Sequence, residues 1–135
     1  MTFLEILAKL VLSTLLAGLL GWEREKGKNP AGFRTHILVS LGATVFTLVP
    51  FLYLSGGNYD AVSRITAGIV TGIGFLGAGS IIRSGEHVRG LTTAASIWIA
   101  AAIGMAVGFG LYILAILASI FAFIVLKLFL FFEKR

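Results

Sequence analysis

The chain has 135 residues, of which 58% are hydrophobic and 13% charged, with a mean hydropathy of +1.00. Soluble domains carry roughly 25% charged residues, so an ordinary soluble enzyme or binding module is excluded. The net charge of +5 does not point to nucleic acid, because the basic residues sit in short loops beside apolar runs, not in a stripe interleaved with exposed aromatics.

Charge is absent from Thr35 to Tyr59, from Ile65 to Ile82 and from Gly90 to Leu126. Uncharged apolar stretches of about 18 residues or more mark membrane spans. The N-terminal stretch has no basic n-region, so residues 6–22 read as a first span and not as a cleaved signal peptide. Spans over 37–54 and 65–82 follow. The run 90–126 would extend roughly 55 Å as one helix, against a hydrocarbon core of about 30 Å. It must fold back, and Gly104, Gly108 and Gly110 are the natural break. Helices over 92–107 and 111–132 result. The expected fold is an all-α integral membrane protein, a single five-helix transmembrane bundle over residues 1–135.

Arg24, Lys26, Lys28 and Arg34 lie between spans one and two, Arg83 and Arg89 between three and four, and Lys134 and Arg135 after span five. Lys9 and Arg64 are the only basic residues on the opposite side. The excess of Lys and Arg on one side predicts an outside N-terminus and a cytoplasmic C-terminus.

In lipid, small residues at four-residue spacing mark helix contacts. Span one offers Ser13, Ala17 and Gly21. Span two carries His36, Ser40, Thr44 and Thr47 as a polar stripe, and span four repeats small groups at Thr92, Ser96, Ala100, Gly104 and Gly108. Span five is apolar all round, as expected for a helix at the periphery or an oligomer contact. More small-residue faces than one neighbour each can use predict a homo-oligomer, most simply a dimer.

GIGFLG, residues 72–77, has the spacing of a dinucleotide-binding fingerprint, G-x-G-x-x-G. It lies inside an apolar span, follows no strand, and is not followed about 20 residues on by an acid, so the nucleotide reading fails. Gly72, Gly74, Gly77 and Gly79 leave two readings open. One is a central helix whose neighbours approach the bare backbone; the other is a bent or broken helix lining a polar cavity.

Two loops, GWEREKGKNPAGFRTH (21–36) and RSGEHVRGLTTAAS (83–96), bring polar chemistry to one membrane face. In GWERE (21–25), AGFRTH (31–36), GIGFLGAG (72–79), GLTTAASIW (90–98) and AIGMAVGFG (102–110) the chain resembles the MgtC/SapB family of bacterial inner-membrane proteins. The resemblance implies a five-span domain in the plasma membrane, linked to growth in low magnesium, acid survival and virulence. Family members commonly carry Gln where this chain has Gly68, and many continue into a soluble C-terminal domain where this chain ends at Arg135.

Glu23, Glu25, Arg34, His36, Arg83 and Arg89 form a candidate cytoplasmic cluster. Glu25, Arg34 and Arg83 read either as ion pairs that hold helix ends together or as a vestibule for a partner or ion. Ser40, Thr44, Thr92, Thr93, Ser96 and Trp98 join the glycines of span three as candidates for a polar cavity or for packing, with Trp98 expected to pack and its N–H to find a Ser or Thr. His36 and His87 lack the further ligands of a zinc site, and no cofactor is implied. No acidic residue, Gln or Asn lies within a span, whereas a magnesium carrier should offer oxygen ligands there. The expected function is therefore non-enzymatic, acting in the bilayer through other membrane proteins. The alternative is a small oligomeric channel or transporter for Mg²⁺ or another solute.

Overall fold

Helix α1 (Phe3–Lys26) starts earlier than the apolar run suggests because Thr2 and Glu5 form a capping box: the Thr2 N–H donates to Glu5 Oε2 at 2.8 Å and the Glu5 N–H to Thr2 Oγ1 at 3.3 Å. Two otherwise orphaned donors are satisfied in this way. The computed structural model describes residues 1–53 and 59–133, with side chains described for all of these except 53, 84 and 129–133. Lys134 and Arg135, which count toward the orientation, lie outside the described residues, as does the end of span two at Leu54.

Helices α2 (Phe33–Tyr53) and α3 (Tyr59–Gly79) come next, then two short strands, β1 (Ile82–Ser84) and β2 (His87–Arg89), and finally α4 (Leu91–Gly108) and α5 (Tyr112–Glu133). Four of the helices, α1 to α4, are long and apolar enough to cross a membrane, and α5 is apolar through Tyr112–Leu128. The all-helical expectation needs one amendment. The second loop is an antiparallel hairpin pairing Ile82 with Arg89 and Ser84 with His87. Its turn starts at Gly85 with φ 61, the positive φ that two-residue hairpin turns require.

The predicted fold-back after α4 is realised as a Schellman motif. Gly110 takes φ 80, its N–H donates to the Val107 carbonyl at 3.0 Å, and the Leu111 N–H donates to Ala106 at 2.8 Å. The last carbonyls of α4 are thereby satisfied before the chain reverses. Lys9 adds to this end: its Nζ donates to the Gly108 carbonyl at 2.6 Å, a cation placed on a helix C-terminus.

Helix α4 touches all four other helices. The polar stripe of α2 and the small-residue stripe of α4 face one another. His36, Ser40, Thr44 and Thr47 are at most 2% exposed. A Cβ at Gly104 would collide with the Ser40 backbone, and one at Gly108 would strike the Thr47 side chain. Thr44 Oγ1 lies 2.9 Å from both the Ser40 and the Gly104 carbonyls. On the other side, Gly21 of α1 leaves room for the backbone of Phe33 at the start of α2. Helix α5 packs on α1 and α4, with Ser119 Oγ donating to the Leu16 carbonyl at 3.0 Å.

Neither a central span three nor a broken one is found. Helix α3 runs unbroken from Tyr59 to Gly79 and lies at the periphery, against α4 and part of α2. Gly68, Gly72, Gly74 and Gly79 have nothing within 4 Å of where a Cβ would stand, and Gly77 alone of the five meets a neighbour, Ala94. The close backbone approach expected of α3 is made by α4, whose glycines face hydroxyl side chains that can bond across the gap.

Gly104→Val should destabilise the protein by about 1–3 kcal/mol or more, since the seam has no room for a branched side chain. Ser40 Oγ is 0% exposed and, among the described residues, has no hydrogen-bond partner. Ser40→Ala should therefore leave the thermal midpoint unchanged or raise it, because an unsatisfied buried hydroxyl costs about 1–3 kcal/mol. Thermal unfolding of both variants in one detergent checks the contrast.

Candidate functional site

The C-terminal ends of α1, α3 and α5 and the N-terminal ends of α2 and α4 meet at one end of the bundle. Three contacts fix this: Arg24 of α1 reaches Thr93 of α4, Gly77 of α3 meets Ala94, and Val125 and Leu126 of α5 line the same cavity as Arg24 and Thr93.

Glu25 has a structural partner here. Its Oε2 accepts from the Phe33 N–H at 2.7 Å, closing the N-terminus of α2 in the manner of a capping carboxylate. The carboxylate occupies the space a side chain at Gly32 would need. Among the described residues Glu25 forms no ion pair with Arg34 or Arg83. Arg34 is exposed and shares a small polar cavity of about 330 Å³ with Glu25, Lys28 and Thr35. Arg83, on β1, donates from Nε to the Gly85 carbonyl at 3.2 Å, and Glu86, His87 and Arg89 are exposed on the hairpin.

The buried ion pair involves different residues. Glu23 and Arg24 are 8% and 4% exposed, with Oε2 and Nη1 3.7 Å apart. Arg24 Nη2 also donates to Asn29 Oδ1 at 2.6 Å and to Thr93 Oγ1 at 3.4 Å, and Asn29 Nδ2 returns a bond to the Arg24 carbonyl at 3.0 Å. Sequence reasoning missed Arg24, although a signal was present. Extending the buried face Ser13–Ala17–Gly21 by three residues lands on it.

The α1 helix ends with Lys28 in the left-handed region, φ 52, the position that glycine usually takes in such a cap. The Lys28 N–H donates to the Glu25 carbonyl at 3.0 Å and the Asn29 N–H to Arg24 at 3.1 Å. A side chain there costs roughly 1–2 kcal/mol.

His36 is fully enclosed within α2, not exposed in the loop. Its Nδ1 is 2.8 Å from the Gly32 carbonyl and its Nε2 3.0 Å from Ser96 Oγ. A carbonyl has no hydrogen to give, so Nδ1 carries one, and in the neutral ring Nε2 accepts from Ser96. Ser96 Oγ also lies 2.8 Å from the Thr93 carbonyl, and its single hydrogen serves one of the two. A Ser–His pair at this distance can generate a nucleophile when a substrate has access to it; here both residues are buried, Ser96 2% exposed and His36 0%. The pair ties α2 to α4.

The remaining candidates separate. Ser40 and Thr44 lie in the α2–α4 seam, Thr93 and Ser96 are buried, and Thr92 is exposed at the mouth of α4. None of the three threonine and serine side chains caps α4, whose N-cap is Gly90 with φ 90 and no side-chain cap bond. Trp98 is 50% exposed beside Gly74 and Gly77, so the packed position expected of it is not found. Among the described residues no three His, Cys, Asp or Glu gather where a metal ion could be held.

A family model for the MgtC family matches residues 10–135. The chain is 41% identical over 131 residues to the Escherichia coli K12 protein named "Putative magnesium transporter YhiD", covering 93% of this chain and 60% of that protein. It is 48% identical over 107 residues to MgtC of Brucella abortus, covering 79% of this chain and 44% of the relative. With MgtC of Salmonella typhimurium it shares 43% over 120 residues, 89% of this chain and 50% of that one. The chain thus spans roughly half the length of these curated relatives. No solved structure matches. The shared match across nearly the whole helical bundle places the chain in the MgtC family.

Proposed function

We propose that the chain is a multi-pass protein of the bacterial inner membrane, linked to magnesium homeostasis and adaptation to low magnesium or acid, that works by contacting other membrane proteins and catalyses no reaction. One observation carries the reading. The hydroxyl stripe of α2, the natural lining of an ion path, is closed against α4, while Gly68, Gly72, Gly74 and Gly79 of α3 meet no neighbour among the described residues. Glycine in a helix interior costs about 1 kcal/mol relative to alanine on a water scale. A bundle that keeps several of them on an open face recovers that cost when another helix seats there. A second copy of the chain is the simplest occupant, giving a twofold dimer through α3; other inner-membrane proteins use what the dimer leaves exposed. The proposal includes a part in virulence, which the resemblance to the MgtC/SapB family implies.

The name attached to YhiD favours a second reading, transport of Mg²⁺ or another small solute. Among the residues whose side chains are described, the carboxylates sit toward helix ends, at Glu5, Glu23, Glu25 and Asp60, or in the hairpin turn, at Glu86, which leaves none of them along a path through one bundle.

Liposomes holding only the purified protein should show no Mg²⁺ flux above empty vesicles. Flux that scales with protein content would replace the proposal by the transport reading. The chain has no cysteine, so single introduced ones report cleanly. At Lys28 or Glu86 they should resist a membrane-impermeant thiol reagent in intact cells, and at Tyr59 one should react; the reverse pattern would invert the orientation. A cysteine at Gly72 should cross-link to its copy in native membranes while one at Leu117 on α5 does not. Equal cross-linking at both would remove α3 as the dimer contact.

A further inference from the structure

We infer that the chain binds a phosphate-bearing anion in the cavity between the end of α1, the hairpin and the start of α4. The cavity has a volume of about 790 Å³ and is lined by Arg24, Lys28 and Arg89 with no carboxylate among its lining residues. Glu23 stands 3.7 Å behind Arg24 and offsets that charge. Lys28 and Arg89 are exposed, and among the described residues neither is paired with a carboxylate. Two uncompensated cations facing one cavity repel each other and favour an anion between them.

The backbone adds to this preference. Gly90, Leu91, Thr92 and Thr93 line the same cavity, and these are the first residues of an 18-residue helix whose N-cap supplies no side-chain acceptor. Their N–H groups and the helix dipole complement negative charge. A Cβ at Gly90 would overlap the Ser80 carbonyl at the end of α3, so no side chain fits at the N-cap and the backbone there stays bare. Lys28 is held on the facing wall in a left-handed backbone that glycine would adopt more cheaply.

Val88, Leu91, Val125 and Leu126 give the cavity an apolar side, and the helix ends that form it lie at the level where headgroups meet acyl chains. The shared chemistry is a phosphate group coordinated by two cations and a helix N-terminus. It can come from an anionic phospholipid of the adjoining leaflet or from a soluble phosphate ester.

The test uses the full chain in nanodiscs of equal phosphatidylglycerol and phosphatidylcholine, released into a native mass spectrometer. Wild type should retain phosphatidylglycerol preferentially. Lys28→Gln/Arg89→Gln should lose that preference about tenfold or more, as expected for two charge-assisted contacts. The charge-matched Lys26→Gln/Arg83→Gln should keep it. In a second arm, ³¹P line broadening of inorganic phosphate and of glycerol 3-phosphate is titrated with protein in a phosphate-free detergent. Saturable broadening that the Lys28/Arg89 variant alone loses, without lipid preference, assigns the site to a soluble ester. Arg89→Gln by itself, on an exposed strand, shows the same direction at smaller size if the double variant does not purify. Equal behaviour of the Lys28/Arg89 variant and the charge-matched control in both arms overturns the inference. The result stands apart from any Mg²⁺ flux, which neither arm measures.

Discussion

The approach of α4 to α2 at Gly104 is the constraint on which the bundle rests. Lipid tails are as apolar as leucine, so helices in a bilayer gain little from burying one hydrocarbon surface against another. Contact at backbone distance and hydrogen bonds across it must supply the attraction. Gly104 and Gly108 provide the distance, and Thr44, bonding the Gly104 carbonyl, and His36, bonding Ser96, provide the bonds. With that seam closed, α4 becomes the helix every other one packs on. The bond from Ser119 to α1 and the lysine over the end of α4 then hold the outer helices in register.

The seam also sets where the polar groups of the bundle go. Thr44 and His36 bond across it, Thr47 bonds back to the Ala43 carbonyl of its own helix, and Ser40, without a hydrogen-bond partner among the described residues, sits where the two backbones come closest. The polar groups still available lie at the end where the helix termini, the hairpin and the α1–α2 loop meet. There the cost of ionised groups falls, because water and lipid headgroups lie within reach. Glu25 is drawn into capping α2, Glu23 into pairing with Arg24, and the uncompensated cations remain around the cavity at the head of α4.

Glycine has opposite uses in neighbouring helices. In α4 it permits contact within the chain. In α3 the same residue at similar spacing leaves a bare, open face, which is a binding feature only if a second helix arrives. The chemistry of the two stripes differs where it matters: the α4 glycines face Ser40, Thr44 and Thr47 of α2, whereas the apolar cavity between α2 and α3 is lined by Leu38, Val39, Phe46 and Ile65. A small-residue stripe closes on a neighbour that can hydrogen-bond to the backbone it exposes, and here that neighbour is α2.

Several features were legible in the sequence. The charge gaps, at least about 18 residues long, marked the apolar helices, because membrane thickness sets a length that composition must respect. The fold-back at Gly108–Gly110 was legible for the same reason, as were the stripes on α2 and α4, since helical periodicity places residues on faces. Which faces meet was not. Periodicity along one helix says nothing of its partner, so a central α3 stood as one of two open readings when α4 is the central helix, and Trp98 was read as packed when it is half exposed. The helix starts also moved: Glu5 forms a capping box ahead of the apolar run, and Glu25, in the last turn of α1 and eight positions upstream, caps α2. Sequence by itself determined which segments are apolar, where they end and which residues share a side. Only the tertiary structure decided which stripe closes on which and which charge is buried, because those outcomes depend on distances between helices that no single helix encodes.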